Sequence, residues 1–154
     1  MNPFAPSFDT YNECFYAALI AFALLRKGDS EVEYWESVAA DVMNKFNTWA
    51  AIGSGWNFKS KMHLLGAERA FCRDDINGAK ASYIEATRSA RQTGFVHEEA
   101  LASELAGNFY CERGEVLDGR AHLQNSIELY TRWGAIRKAN HLRKRLLSFE
   151  QDSR

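Results

Sequence analysis

From Leu65 onward the chain repeats itself at a spacing of 40 residues, and that constrains its fold more than any other feature. Leu65-Gly66 recurs as Leu105-Ala106, Asp74-Asp75 as Gly114-Glu115, Gly78-Ala79 as Asp118-Gly119, and Gly94 as Gly134. A fixed period of this size marks stacked helical hairpins, each too small to bury its apolar face alone. The only prolines are Pro3 and Pro6, so nothing beyond them forbids helix, and strand-rich folds need more Pro and Gly turns.

Helical spacing recurs along the chain. Residues 1–9 are expected to be flexible, with Asp9 or Thr10 capping helix one, whose stripe is Tyr11, Phe15, Ala18, Phe22 and Leu25. Gly28-Asp29-Ser30 breaks it, and Ser30 with Glu33 forms a capping-box pattern for helix two. Trp35, Val38, Val42, Phe46 and Trp49 line that helix, and Gly53-Ser54-Gly55 ends it. Helix three covers about 57–72 with two apolar faces. Asp74 and Asp75 turn the chain and cap helix four, which carries Ile76, Ala79, Tyr83, Ala86 and Ala90 up to Gly94. Helix five carries Phe95, Leu101, Leu105 and Phe109. Helix six carries Val116, Leu123, Ile127 and Tyr130, and helix seven Ile136, Ala139, Leu142, Leu146 and Phe149. Short connections favour antiparallel neighbours. The expected fold is therefore all-α: about seven helices, stacked as antiparallel hairpins in a short right-handed solenoid. It forms one domain over residues 10–149, with a frayed tail at 150–154.

Charge and cysteine usage narrow the function classes. The formal net charge of −1 gives no global pull toward nucleic acid or membrane. The charge is uneven: residues 1–58 carry seven acids against three bases, whereas 129–148 carry six bases and no acid. The apolar run Phe15 to Leu25 has 11 residues, short of the roughly 18–20 that a membrane span needs, and Asp9 and Glu13 stand where a signal peptide has bases. Three separated cysteines (Cys14, Cys72 and Cys111) fit a reducing compartment, and a cytoplasmic location is expected.

The spacing of Leu65-Gly66 before Ala79 resembles a tetratricopeptide repeat with an enlarged hairpin. Met62 stands where that pattern has Trp, and no proline ends either repeat. More of the chain enters a second resemblance. Its landmarks are Trp49, Asn57 to Lys61, Leu65-Gly66-Ala67-Glu68, Gly94-Phe95, Glu98 to Ala106, Phe109-Tyr110, Gly114, and Tyr130 to Ala135. Together they resemble the helical-repeat region of large multidomain proteins that join a serine/threonine-kinase-like domain, an ATPase module, a GAF domain and a sensor histidine kinase. The resemblance covers roughly residues 11–147. It implies a spacer and interaction segment in signal transduction, with no catalytic residue and no cofactor. The chain departs from that family in its basic end, where the family continues into GAF.

The tetratricopeptide pattern also implies which residues face a partner. Its first helices line an inner groove, which would place Ser60, His63, Ser103 and Tyr110 there as a peptide seat. Arg137, Lys138 and Arg145 of the basic segment are candidates for gripping phosphates of nucleic acid or an acidic membrane, for an acidic protein surface, or for the polar outer face that ends a solenoid. No aromatic interleaves with those bases after Trp133, which argues against single-stranded nucleic acid.

Other constellations weigh less. His63, His97, His122 and His141 show no zinc-ligand spacing with the cysteines, so no metal is expected. A Cys–His nucleophile pair stays open, because such partners meet in space. Glu68, Glu98, Glu99 and Glu104 lack the Glu-x-x-His of di-metal bundles and fit solvated faces better. Trp35 and Trp49 suit the core, while Trp56 and Trp133 adjoin glycine turns. The expected function is a non-catalytic protein–protein or peptide interaction scaffold that self-associates through apolar ends. The alternatives are a small-ligand binder with a pocket among helices one to four, and a regulator docking through the basic C-terminal helix.

Overall fold

A computed structural model describes residues 7–53 and 55–151. Residues 1–6 and 152–154, expected to be loose, lie outside the described residues, as does Ser54. The fold is all-α as expected. The helices are α1 (Phe8–Arg26), α2 (Val32–Ile52), α3 (Lys59–Cys72), α4 (Ile76–Thr93), α5 (Val96–Glu112), α6 (Val116–Trp133) and α7 (Ile136–Gln151), with a single 3-10 turn at Gly55–Asn57.

The helix ends carry the repeat in their backbone. Asp74, Gly94, Gly114 and Gly134 all take positive φ (55°, 74°, 78° and 92°), and they lie 20 residues apart. Behind each, the next amide reaches back across the last turn. Asp75 N–H donates to Ala70 O at 2.9 Å, Phe95 to Ala90 at 3.0 Å, Glu115 to Tyr110 at 2.9 Å and Ala135 to Tyr130 at 2.9 Å. These are Schellman closures, which satisfy carbonyls that a helix end leaves over. The repeating unit is thus one helix of 20 residues, and the 40-residue period in the sequence is two of them.

The chain forms two compact units, residues 1–82 and 83–154. In the first, α2 packs antiparallel to α1, with Phe46 beside Phe15 (6.3 Å) and Trp49 beside Tyr11 (4.8 Å). α3 runs parallel to α1. Phe58 meets Tyr11 at 4.8 Å, and farther along Glu68 Oε2 takes Arg26 Nη1 at 2.5 Å. In the second, α6 packs antiparallel to α5 through Ser126 Oγ donating to Ala100 O (2.8 Å) and Asn125 Nδ2 donating to Ser103 Oγ (2.9 Å). α7 returns parallel to α5, and Ala100, Ile127, Tyr130, Ala139 and Leu142 form a buried cluster there.

The structure corrects several local expectations. Ser7, not Asp9 or Thr10, caps α1, and the helix reaches back to Phe8. The Ser30–Glu33 capping box does not form. Instead α2 starts at Val32, and Asp29 Oδ1 accepts both the Glu31 N–H (2.9 Å) and Trp35 Nε1 (3.1 Å), so one carboxylate does the work of the box. Asp75 does cap α4, taking the Gly78 N–H at 2.9 Å. α5 buries small residues (Ala100, Ala102, Ser103, Ala106, Gly107) beside Phe109 and Tyr110, while Leu101 and Leu105 are only half-buried. A helix covered on nearly all sides has no single apolar stripe to read.

Candidate functional site

A concavity lies within the first unit. It is a groove of about 860 Å³ along α2 and α3, from Asn47, Gly55 and Lys59 at one end to Val32 and Arg73 at the other. Phe22 and Leu25 of α1 contribute to its wall, together with Ala39 and Met43 of α2 and Met62 and Gly66 of α3. Helical steps explain the set. On α3, positions 59, 62, 63, 66, 69 and 73 follow one stripe; on α2, positions 32, 36, 39, 40, 43, 44 and 47 follow another. The rims differ in charge. α3 presents exposed Lys59, Arg69 and Arg73, while α2 presents exposed Glu36, Asn44 and Asn47. Methionine side chains suit a surface that adapts to its occupant.

Of the residues singled out in the sequence, His63 lines this groove. Ser60 is buried at 6% exposure. Ser103 is fully buried and accepts from Asn125, so the structure places it at the α5–α6 contact. Tyr110 is buried too, its ring stacked on His122 at 5.1 Å and 5°. Burial pushes the His122 imidazole below its ordinary range, against a smaller opposing pull from Asp118.

The basic segment is partly an internal clamp. Lys138 Nζ donates to Glu104 Oε1 at 2.8 Å, and Arg145 Nη2 donates to Asn108 Oδ1 at 2.9 Å, both pinning α7 to α5. Arg143 holds Asn140 at 2.7 Å and Thr131 at 3.0 Å. Arg137 and Lys144 are exposed.

The glutamates expected on solvated faces are buried instead, Glu68 at 2%, Glu98 at 8%, Glu99 at 5% and Glu104 at 6% exposure. Three carboxylates have a cationic neighbour: Arg26 for Glu68, Arg91 (2.8 Å) for Glu99 and Lys138 for Glu104, which also accepts from Tyr130 OH at 3.0 Å; Glu98 lies 3.9 Å from the His97 imidazole. Buried acids persist when paired and hydrogen-bonded, and for Glu68 and Glu104 the partners come from distant segments of the chain.

Cys72 lines the groove, but its thiol donates to Phe22 O at 3.4 Å, and burial raises its pKa against the opposing pull of Arg26. A half-buried thiol whose pKa is raised is a poor nucleophile. His63 stands nine residues earlier, about 13 Å away along the helix axis, so the two form no catalytic pair. Among the described residues, no group of three or more His, Cys, Asp and Glu is placed to hold a metal ion. No helix of the described residues is long and apolar enough to cross a membrane.

Sequence reasoning noted Met62 only as standing where the tetratricopeptide pattern has Trp, and passed over Met43, Arg69 and Arg73. Arg69 and Arg73 at i and i+4 were the available signal. Compared with protein-family models, with curated proteins and with solved structures, the chain finds no match.

Proposed function

We propose that this chain is a non-catalytic helical-repeat interaction module, and that the α2–α3 groove holds a peptide segment of a partner protein. The observation that carries it is the pairing of an apolar wall (Phe22, Leu25, Met43, Met62) with a rim of three cations (Lys59, Arg69, Arg73) in one open groove. Such a groove suits an amphipathic segment that lays apolar anchors along the wall and carboxylates along α3. The anchors would supply most of the affinity, and the rim charges would orient the segment and speed its arrival. The resemblance to the spacer region of multidomain signalling kinases points to the same scaffold role.

Selection from a displayed random-peptide library tests this. Enriched peptides should combine aliphatic or aromatic anchors with acids, and Arg69→Glu/Arg73→Glu should weaken their binding by about tenfold or more. Met62→Lys should weaken it further, and added salt should weaken it in the wild type. Peptides that ignore all three changes would place the seat elsewhere. A volume of about 860 Å³ also lies in the range that encloses small molecules. A thermal-shift panel of anionic metabolites separates that occupant, because a bound ligand raises the melting temperature.

A further inference from the structure

The two terminal helices finish their units in opposite ways. On α7, the positions opposite buried Ala139 and Leu142 are Arg137, His141 and Lys144, all exposed and polar. That face needs no cover. On α1, the core side carries buried Phe15, Ala18 and Phe22, and the opposite side carries positions 9, 13, 16, 20 and 27 at helical steps. Its centre is apolar: Tyr16 is 50% exposed and Ile20 56% exposed. Its ends are charged, with exposed Asp9 and Glu13 at the start and exposed Lys27 just past the end.

We propose that this stripe is a dimer interface in which α1 of one copy packs antiparallel on α1 of a second copy. Antiparallel pairing centred near Ala18 sets Tyr16 against Ile20 of the second copy and Ile20 against its Tyr16. The same register sets Asp9 against Lys27, with Glu13 one turn away. One register therefore satisfies the apolar pair and the charges at once, which is the self-complementarity that a closed two-fold interface requires. A parallel pairing would instead set Asp9 and Glu13 against their own copies. Opposed helix dipoles favour the antiparallel choice as well. A single helix pair buries less than the roughly 1,600 Å² of a standard interface, so the dimer is expected among the weak, transient ones. No residue of the stripe lines the α2–α3 groove, so the dimer and the peptide seat stand or fall separately.

Sedimentation of the full chain over about 1–100 μM tests this. Wild type should pass from monomer to dimer and stop there. Ile20→Glu, at an exposed position, should keep the helical circular-dichroism signal and weaken the dimer at least about tenfold. Lys27→Glu should weaken it less, and combining it with Asp9→Lys should restore it. A wild type that stays monomeric, a dimer indifferent to Ile20→Glu, or growth beyond two copies (the mark of α7 meeting α1 head to tail) would each overturn the assignment.

Discussion

In the first unit a chain of ring contacts crosses the first three helices; in the second, small residues and a carboxylate share the packing with rings such as Tyr110 and His122. Tyr11, Phe15, Phe46, Trp49 and Phe58 form a chain of ring contacts across α1, α2 and the start of α3. In α5 and α6 the backbones close on each other, so that a Cβ at Gly119 would lie 2.4 Å from Cys111 Sγ, and one at Gly107 would lie 2.7 Å from Leu123 Cγ. The positions 40 residues earlier hold Ala67 and Ala79, both fully buried. Both units thus place a helix, an antiparallel partner and a third helix parallel to the first, using different side chains. Rings fill the space between α1, α2 and the start of α3, whereas Gly107 and Gly119 let α5 and α6 touch.

The contrast can be broken in order of expected effect. Phe46→Ala removes the central ring, 1% exposed, and should cost about 3–5 kcal/mol in urea unfolding. Hydrogen exchange should locate the loss in α1 to α3, and loss confined to α5–α7 would refute the division of labour. Gly119→Ala should destabilise by about 1–3 kcal/mol despite the better helix propensity of alanine, because the neighbours include the backbone of Cys111. A neutral result would mean that α5 and α6 are free to separate.

Asp74 and Gly114 occupy the same place in successive 40-residue periods, and Asp74 is the only non-glycine with positive φ among the described residues. Asp74→Gly should therefore stabilise by up to about 1 kcal/mol, and Gly114→Asp should destabilise by a similar amount. If both changes destabilise, the Asp74 carboxylate contributes more than its backbone strain costs.

The smallest effect is a pH dependence in the second unit. His122 has a folded pKa below its ordinary 6.5, chiefly through burial. The unfolded chain then binds more protons, so this contribution is present above pH 6.5 and is lost as pH falls through that value. Melting temperature should drop between pH 7 and pH 5 in wild type, and less so in His122→Phe. Equal drops would assign the acid sensitivity to other groups.

Much of the fold was legible because helices announce themselves locally. Apolar spacing marked α1, α2, α4 and α6, and Gly94 and Gly134 marked their ends, since a left-handed residue is a local demand. α5 was legible as a helix but not in its buried face, because alanines, Ser103 and Gly107 carry no hydropathy contrast. The candidate site was barely legible. His63 lines the α2–α3 groove, whereas Ser103 and Tyr110 are buried, and Arg69 and Arg73 went unread.

The sequence by itself determined the helices, their order and the repeat, because caps, turns and periodicity act over a few residues. Tertiary structure alone decided which charges are buried, which bases pin α7, and where two helices leave a groove. Those outcomes depend on partners distant in the chain, such as Arg26 for Glu68 and Lys138 for Glu104. A carboxylate's cost of burial is set by the cation that meets it in space, and no local spacing encodes that meeting.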